Sequence, residues 1–366
     1  MLHISRWCAL LLTLGPAACS EFSPPVFVIN LERSTSRLQR MAEQMDLAGL
    51  SWRRLQAVDG SNLSAAELKH LVEPAAVHML PRGVIGCFLS HRRFWEKVQE
   101  EGHSCAVVLE DDVEVMPGFS SAVRDYLSEL PPAWDVCLLG ALGCAHPDGI
   151  LAEGFLNPLM AVYLGGTRRC RKVSDRLFVP RKPGGTHAYA VSQRGASKLL
   201  RLLPKASFHV DLVAWHSALP LALYAVHPFI AFQDTTKPST LVDGSSVGGV
   251  RSLHWLDMTQ LMVGGGTRQS WAHVFAEPLL RVPGGLLITV GRHQLALGLG
   301  LAIGSALHVS SNGLVRLTGK LLLGLVGSFA IAIWAGVRWL VHLSLAAAAE
   351  AQRAMEHEHT RCSGTV

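Results

Sequence analysis

Short apolar runs alternate with longer segments of helical periodicity from about Pro25 to Trp255. Val26-Phe-Val-Ile-Asn-Leu31 is rich in β-branched residues and reads as a buried strand. Ser34 or Thr35 can cap the next helix, in which Leu38, Met41, Met45 and Ala48 recur at helical spacing before Gly49 stops it. Leu55–Val58 is a short second strand, and Ser64-Ala-Ala-Glu67 has the spacing of a capping box that opens another helix. Val84–Glu101 reads as a helix ending at Gly102. Cys105–Leu109 is a strongly apolar strand that runs straight into Glu110-Asp111-Asp112. Trp134–Leu139 and His187–Ser192 are further strands, and Gly195–Leu203 is a short helix. Apolar strands alternating with amphipathic helices predict an α/β fold with a mostly parallel sheet covered on both faces. In such sheets ligands sit outside the carboxyl ends of the strands, so the residues that follow each strand are the candidates for chemistry.

Both ends of the chain depart from this pattern. Arg6, the apolar run Trp7–Leu14 and the small residues near Ala18 have the layout of a secretory signal over residues 1–20. Gln294–Val315 carries no formal charge, nor does Leu321–Val337, and apolar character continues past Arg338 to Ala349. Each stretch approaches the ~20 residues that a spanning helix needs. Arg316–Lys320 is then expected as a tight link between two spans, with Arg338 snorkelling near the end of the second. A pair of buried or interfacial helices is the other reading. The resulting division is a signal over 1–20, a catalytic domain over 25–255, a linker over 256–293, hydrophobic membrane-associated helices over 294–349 and a polar tail over 350–366.

Composition narrows the class. Apolar residues make up 49% of the 366 and charged residues 17%, with a mean hydropathy of +0.28, which excludes a disordered chain. A net charge of +5 is too small an excess to argue for a nucleic-acid partner. The eight cysteines form no CxxC pair, so neither a zinc ribbon nor a thioredoxin-type site is indicated. Basic residues gather between Asn157 and Gly185, where a solvated loop and an acceptor-binding segment are both open.

Three consecutive carboxylates at the end of a buried strand repel one another at the edge of a low-dielectric core. A divalent cation removes that repulsion. In an extended chain Glu110 and Asp112 point to the same side and offer two hard oxygen ligands, suited to Mn²⁺ or Mg²⁺ holding a diphosphate. A solvated acidic turn is the plainer alternative. The chain has no GxxxxGK[ST], no GxGxxG after the first strand and no HExxH. Phosphate contacts must then come from the metal and from arginines, with Arg33, Arg37 and Arg40 after the first strand as candidates. His91 shares a helix face with Phe88 and Trp95 and reads as a buried structural histidine.

Five blocks in order carry a resemblance. They are Val28-Ile-Asn-Leu-Glu-Arg33 with Arg37; Leu55-Gln-Ala-Val-Asp-Gly60; Gly83–His91 followed by Trp95-Glu-Lys97; Val108-Leu-Glu-Asp-Asp-Val113; and Gly185-Thr-His-Ala-Tyr-Ala-Val-Ser192. His209-Val-Asp211 is a weaker echo. Together they resemble glycosyltransferase family 25, which includes lipooligosaccharide and procollagen galactosyltransferases; Val84 departs from the family's pattern. The resemblance implies a GT-A-like (Rossmann-like) fold and a metal-dependent enzyme moving a hexose, galactose first, from a UDP-sugar with inversion. It implies Glu110 and Asp112 as metal ligands for Mn²⁺ or Mg²⁺, and Asn30, Arg33, Arg37, Asp59, Asp111 and Thr186 as substrate-binding residues. Asp211 becomes the candidate base that takes the acceptor proton. The acceptor is a glycan, a lipid-linked or a protein hydroxyl, and the place a secretory-pathway or cell-envelope membrane. Two other readings stand beside it: a metal-dependent phosphohydrolase, and a non-catalytic membrane-bound sugar-binding relative.

Overall fold

The structure, a computed structural model, describes residues 23–142, 169–181, 183–233, 278–281 and 287–363. The expected signal, residues 157–168 and 182 of the basic segment, and residues 256–277 and 282–286 of the expected linker lie outside these.

The elements before residue 255 run, in order, β1 (Val26–Asn30), α1 (Thr35–Leu47), β2 (Trp52–Gln56), α2 (Ala65–Leu71), α3 (Pro74–Met79), α4 (Arg82–Glu100), β3 (Cys105–Glu110), β4 (Val113–Val115), α5 (Phe119–Glu129) and β5 (Val136–Leu142). They continue with β6 (Arg171–Lys172), β7 (Leu177–Val179), β8 (Gly184–Ser192), α6 (Gln193–Leu202), α7 (Val210–Ala214), β9 (Leu223–Val226) and β10 (Ala231–Gln233). After them come β11 (Pro278–Arg281), β12 (Leu287–Thr289), α8 (Val290–His308) and α9 (Gly313–Ser363).

The central sheet has the order β2-β1-β3-β8-β5-β9-β7-β6. It is mixed rather than mostly parallel. β1 runs parallel to β2 and β3, and β5 to β9, but β8 is antiparallel to both β3 and β5, as β7 is to β9 and β6. The reason the sequence misleads is local. Every residue of β8 from Gly185 to Ser192 is buried, as in a strand covered on both faces, and burial leaves no mark of direction. The reversal has a functional effect: the start of β8 lies beside the end of β3, with Leu109 opposite Ala188.

The helices form where their signals stand. Ser64 and Glu67 exchange both bonds of the capping box, and Gly49 and Gly102 end α1 and α4 at positive φ. α4 buries Phe88, His91, Phe94, Trp95 and Val98. Its aromatic rings meet Tyr189 of β8, which also stacks edge-on against Trp215 at 5.2 Å. Each such fully buried large side chain contributes about 1.5–3 kcal/mol of burial. Gly60 and Gly86 let the turn after β2 press against α4: a Cβ on Gly86 would lie 2.6 Å from the Val58 carbonyl oxygen.

The hydrophobic C-terminal part is a helical pair. The break between α8 and α9 falls at residues 309–312, not at the expected Arg316–Lys320. Asn312 explains the difference, because its Oδ1 accepts from the Leu314 and Val315 N–H groups and starts α9. Arg316 and Lys320 ride within the first turns of that helix. Among the described residues only α9 is long and apolar enough, by length and composition, to cross a membrane. Its later part buries Ile333, Val337, Leu340, Val341, Ser344 and Ala348, one helical face, against the rest of the chain, where Ser344 also meets Ser207.

Candidate functional site

The carboxyl ends of β1 and β3 and the start of β8 converge at one edge of the sheet. β1 delivers Asn30, β3 delivers Glu110, and β8 delivers Thr186. The chain is not extended through the acidic triplet: β3 stops at Glu110, Asp111 and Asp112 form a turn, and β4 begins at Val113. The alternation that placed Glu110 and Asp112 on one side therefore ends at Glu110; Asp111 and Asp112 share Arg37, and Glu110 has separate partners.

Asp111 accepts from Asn30 Nδ2 at 2.7 Å and pairs with Arg37 at 2.5 Å. Asp112 Oδ2 lies 3.4 Å from both Arg37 Nη2 and Gln233 Nε2. Glu110 Oε1 accepts from Thr186 Oγ1 at 2.8 Å and lies 3.2 Å from His91 Nε2. The turn is braced from outside: the Gln44 side chain of α1 accepts from Val115 N and donates to the Val113 carbonyl, and β10 pairs with β4.

Three carboxylates thus face one guanidinium in a largely buried place. Burial, and then the charge of Glu110, push the Asp112 carboxyl up to about 7. Glu110 moves the other way. Burial pushes it up, but the His91 hydrogen bond and the charges of His91 and His187 outweigh that and hold it low. Asp112 Oδ1 and Asn30 Oδ1 are buried and have no hydrogen-bond partner among the described residues. Excess negative charge with buried, unanswered oxygen acceptors is the donor set of a hard divalent cation. Glu110, Asp112 and Asn30 Oδ1 are the oxygen groups at this edge that could hold such an ion.

The other expected residues fall into two groups. Arg37, Asn30, Asp111 and Thr186 belong to this cluster. Asp211, at the start of α7, accepts from the Gly185 N–H at 2.7 Å, so the Gly185-Thr186 step ties it to Glu110. Arg33 and Asp59 instead pair with each other, and Asp59 also caps the turn at Gly60–Asn62. His91 is buried as expected, yet it also touches Glu110; its other nitrogen lies 3.1 Å from the Tyr189 hydroxyl. Cys87, one turn before His91, and Gln233 were not anticipated as neighbours of the cluster. The four-residue spacing of Cys87 and His91 on a helix was the available signal for the first.

Residues 23–214 match the family model for glycosyltransferase family 25, described there as an LPS biosynthesis protein. The chain belongs to glycosyltransferase family 25. Among curated members, it is 30% identical over 190 residues to the inactive glycosyltransferase 25 family member 3 of Mus musculus, covering 49% of this chain and 29% of that protein. It is 28% identical over 236 residues to a glycosyltransferase 25 family member of Aedes aegypti, covering 55% and 36%. It is 27% identical over 230 residues to procollagen galactosyltransferase 1-A of Xenopus laevis, covering 59% and 34%. The chain therefore spans about a third of the length of these relatives. A solved glycosyltransferase involved in glycosylation of the major capsid of PBCV-1 matches 48% of this chain and 62% of its own at 9% identity, with a TM-score of 0.25, too slight a likeness to carry an argument.

Proposed function

We propose that this family 25 member is a divalent-cation-dependent hexosyltransferase, moving galactose from UDP-galactose to a hydroxyl acceptor with inversion. The observation that carries the reading is the largely buried acidic triplet at the sheet edge, with Asp112 Oδ1 unanswered and Asp112 pushed up to about 7. Relatives named procollagen galactosyltransferase support galactose as the sugar and a protein hydroxyl as one acceptor in this reading, with glycan and lipid-linked hydroxyls as the others.

In this reading Glu110 and Asp112 hold Mn²⁺ or Mg²⁺, which, when bound, neutralises charge developing on the diphosphate. Arg37 and Asn30 keep Asp111 turned away from the ion and set the shape of the turn. Arg33 and Asp59 border the nucleoside side. Asp211 takes the proton from the acceptor hydroxyl as its oxygen bonds to the anomeric carbon. The bond from that carbon to the diphosphate oxygen breaks, and UDP leaves with the electron pair. Glu110, held low, stays ionised throughout.

The α8–α9 pair supports a membrane location, in the secretory pathway or the cell envelope. Gly304 and Gly319 bring the two helices into backbone contact, since a Cβ on Gly319 would lie 2.7 Å from the Gly304 carbonyl oxygen. Leu295, Leu299, Ile303, Leu314, Leu321 and Leu325 are exposed on the outside, and Trp334 and Trp339 flank Arg338 where the apolar run ends.

The test is a donor panel. The full-length chain in detergent is given Mn²⁺ and a set of nucleotide sugars, and released UDP is measured. UDP-galactose cleavage that needs Mn²⁺ and is lost in Asp112→Asn is the expected result; undiminished activity in that variant refutes the reading. Relatives named inactive favour one rival, a sugar-binding protein. Mn²⁺-dependent UDP binding with no turnover of any donor is its outcome.

A further inference from the structure

The ligand atoms of Cys87, His91 and Glu110 all lie within 4.8 Å of one another. We infer that they form a second cation site, selective for a soft ion of the zinc class, which shares Glu110 with the hard-ion site of the acidic triplet. The donor set is the argument. A thiolate, an imidazole and a carboxylate prefer Zn²⁺ or Co²⁺, whereas Asp112, Glu110 and Asn30 offer oxygen alone and prefer Mn²⁺ or Mg²⁺.

The placement is built rather than incidental. Cys87 and His91 stand four residues apart on α4 and face the end of β3. The Tyr189 hydroxyl, itself fixed by a 2.8 Å bond from Trp95 Nε1, sits 3.1 Å from His91 Nδ1. An outer partner of that kind fixes the ring and leaves Nε2 directed at the ion. Thr186 Oγ1 donates at 2.8 Å to Glu110 Oε1, the oxygen that also faces His91 Nε2, and steadies the carboxylate there. Three protein ligands leave one tetrahedral position for water. Cys87 is half-buried and carries no disulfide, so a small ion can reach it. On binding, the thiol proton and the His91 Nε2 proton leave to solvent, and the imidazole keeps the proton on Nδ1, facing the Tyr189 oxygen.

The consequence is a competition. Zinc held by Cys87 and His91 turns Glu110 away from the hard-ion site, so Zn²⁺ inhibits a Mn²⁺-dependent reaction. The inhibition rests on the proposed function; the binding does not.

Cobalt reports the thiolate directly. The chelator-stripped full-length chain in detergent is titrated with Co²⁺ and its absorption recorded. The expected result is a thiolate-to-cobalt charge-transfer band, saturating at one equivalent and bleached by Zn²⁺. Cys87→Ser and His91→Gln should lose the band and bind Zn²⁺ about 10–100-fold more weakly. Asp112→Asn should keep it. Cys87→Ala replaces the serine variant if that one fails to fold. No band in the wild-type chain, or a band that survives both cysteine substitutions, overturns the site. In turnover, Cys87→Ser should retain Mn²⁺-dependent activity and lose its sensitivity to Zn²⁺; equal inhibition of variant and wild type overturns the competition. A cobalt band without Mn²⁺-dependent turnover supports the site and sinks the proposed function alone.

Discussion

Replacing Asp112 with asparagine tests the electrostatics of the triplet without any substrate. Burial and the neighbouring Glu110 raise this carboxyl from 3.8 to about 7. At about 1.4 kcal/mol for each tenfold change in proton affinity, the ionised form bears a penalty on the order of 4 kcal/mol in the folded apo protein. The sign follows from the order of the two values. The folded value lies above the unfolded one, so between about pH 4 and pH 7 the folded chain holds a proton that the unfolded chain lacks. Apo stability therefore falls as pH rises through that window and is level above it. Asparagine removes the penalty, in which the Arg37 attraction is already counted, but leaves a buried amide N–H without an acceptor where Asp112 Oδ1 has no partner, a cost of about 1–3 kcal/mol. At pH 8 in chelator, the variant should be more stable than wild type by about 1–3 kcal/mol, with an unfolding midpoint higher by about 2–6 °C. At pH 5 the gain should shrink, because the wild-type carboxyl is then protonated. Added Mn²⁺ should raise the wild-type midpoint and leave the variant's unchanged. The assay is thermal unfolding of the full-length chain in detergent at both pH values. A variant less stable than wild type at pH 8, responding to Mn²⁺ as wild type does, refutes the reasoning.

Other outcomes follow from named contacts. Asp135 is fully buried and held by Arg194 Nε at 2.8 Å, Lys198 Nζ at 2.7 Å and the Ala222 N–H at 2.8 Å. Asp135→Ala takes the acceptor from the Ala222 N–H and removes both ion pairs, but Arg194 and Lys198 still reach water; it should cost about 1–3 kcal/mol in denaturant unfolding, and no measurable loss means that the contacts contribute nothing. Asp211→Asn keeps the bond from Gly185 N–H but cannot take a proton. It should lower transfer by about 10²–10⁴-fold with UDP binding intact, and loss of binding instead makes Asp211 structural. Tyr189→Phe removes the hydroxyl between Trp95 and His91 and should cost about 1–3 kcal/mol of stability, seen as a lower urea midpoint with an unchanged slope.

Legibility in the sequence followed the range of the forces involved. Local signals were read well: the Ser64–Glu67 capping box, the glycine stops at Gly49 and Gly102, and the apolar strands at Val26 and Cys105 all correspond to observed elements. Strand direction was not, because β8 is buried on both faces regardless of which way it runs. The three-residue strands β4 and β10 were missed as well; they exist through pairing with each other and through Gln44, and lack the length for a periodic signal. In the site, Glu110–Asp112 stood out because three adjacent charges at the end of an apolar run are costly. His91 looked structural because its face is apolar, and the same burial that justified that reading is what brings it onto Glu110. The link between α8 and α9 was misplaced because charge was given more weight than the capping ability of Asn312.

α9 is one unbroken helix of 51 residues, about 75 Å from end to end. Its early turns pair with α8, and its later turns are keyed into the protein at Val337, Leu340 and Val341. No hinge lies between these regions, so the helix behaves as an axle: whatever grips one end fixes the azimuth of the other. Inserting a single alanine after Ala332 would wind the two ends about 100° out of register, and the acidic sheet edge would then face a different quarter of its surroundings while every residue in it stayed the same.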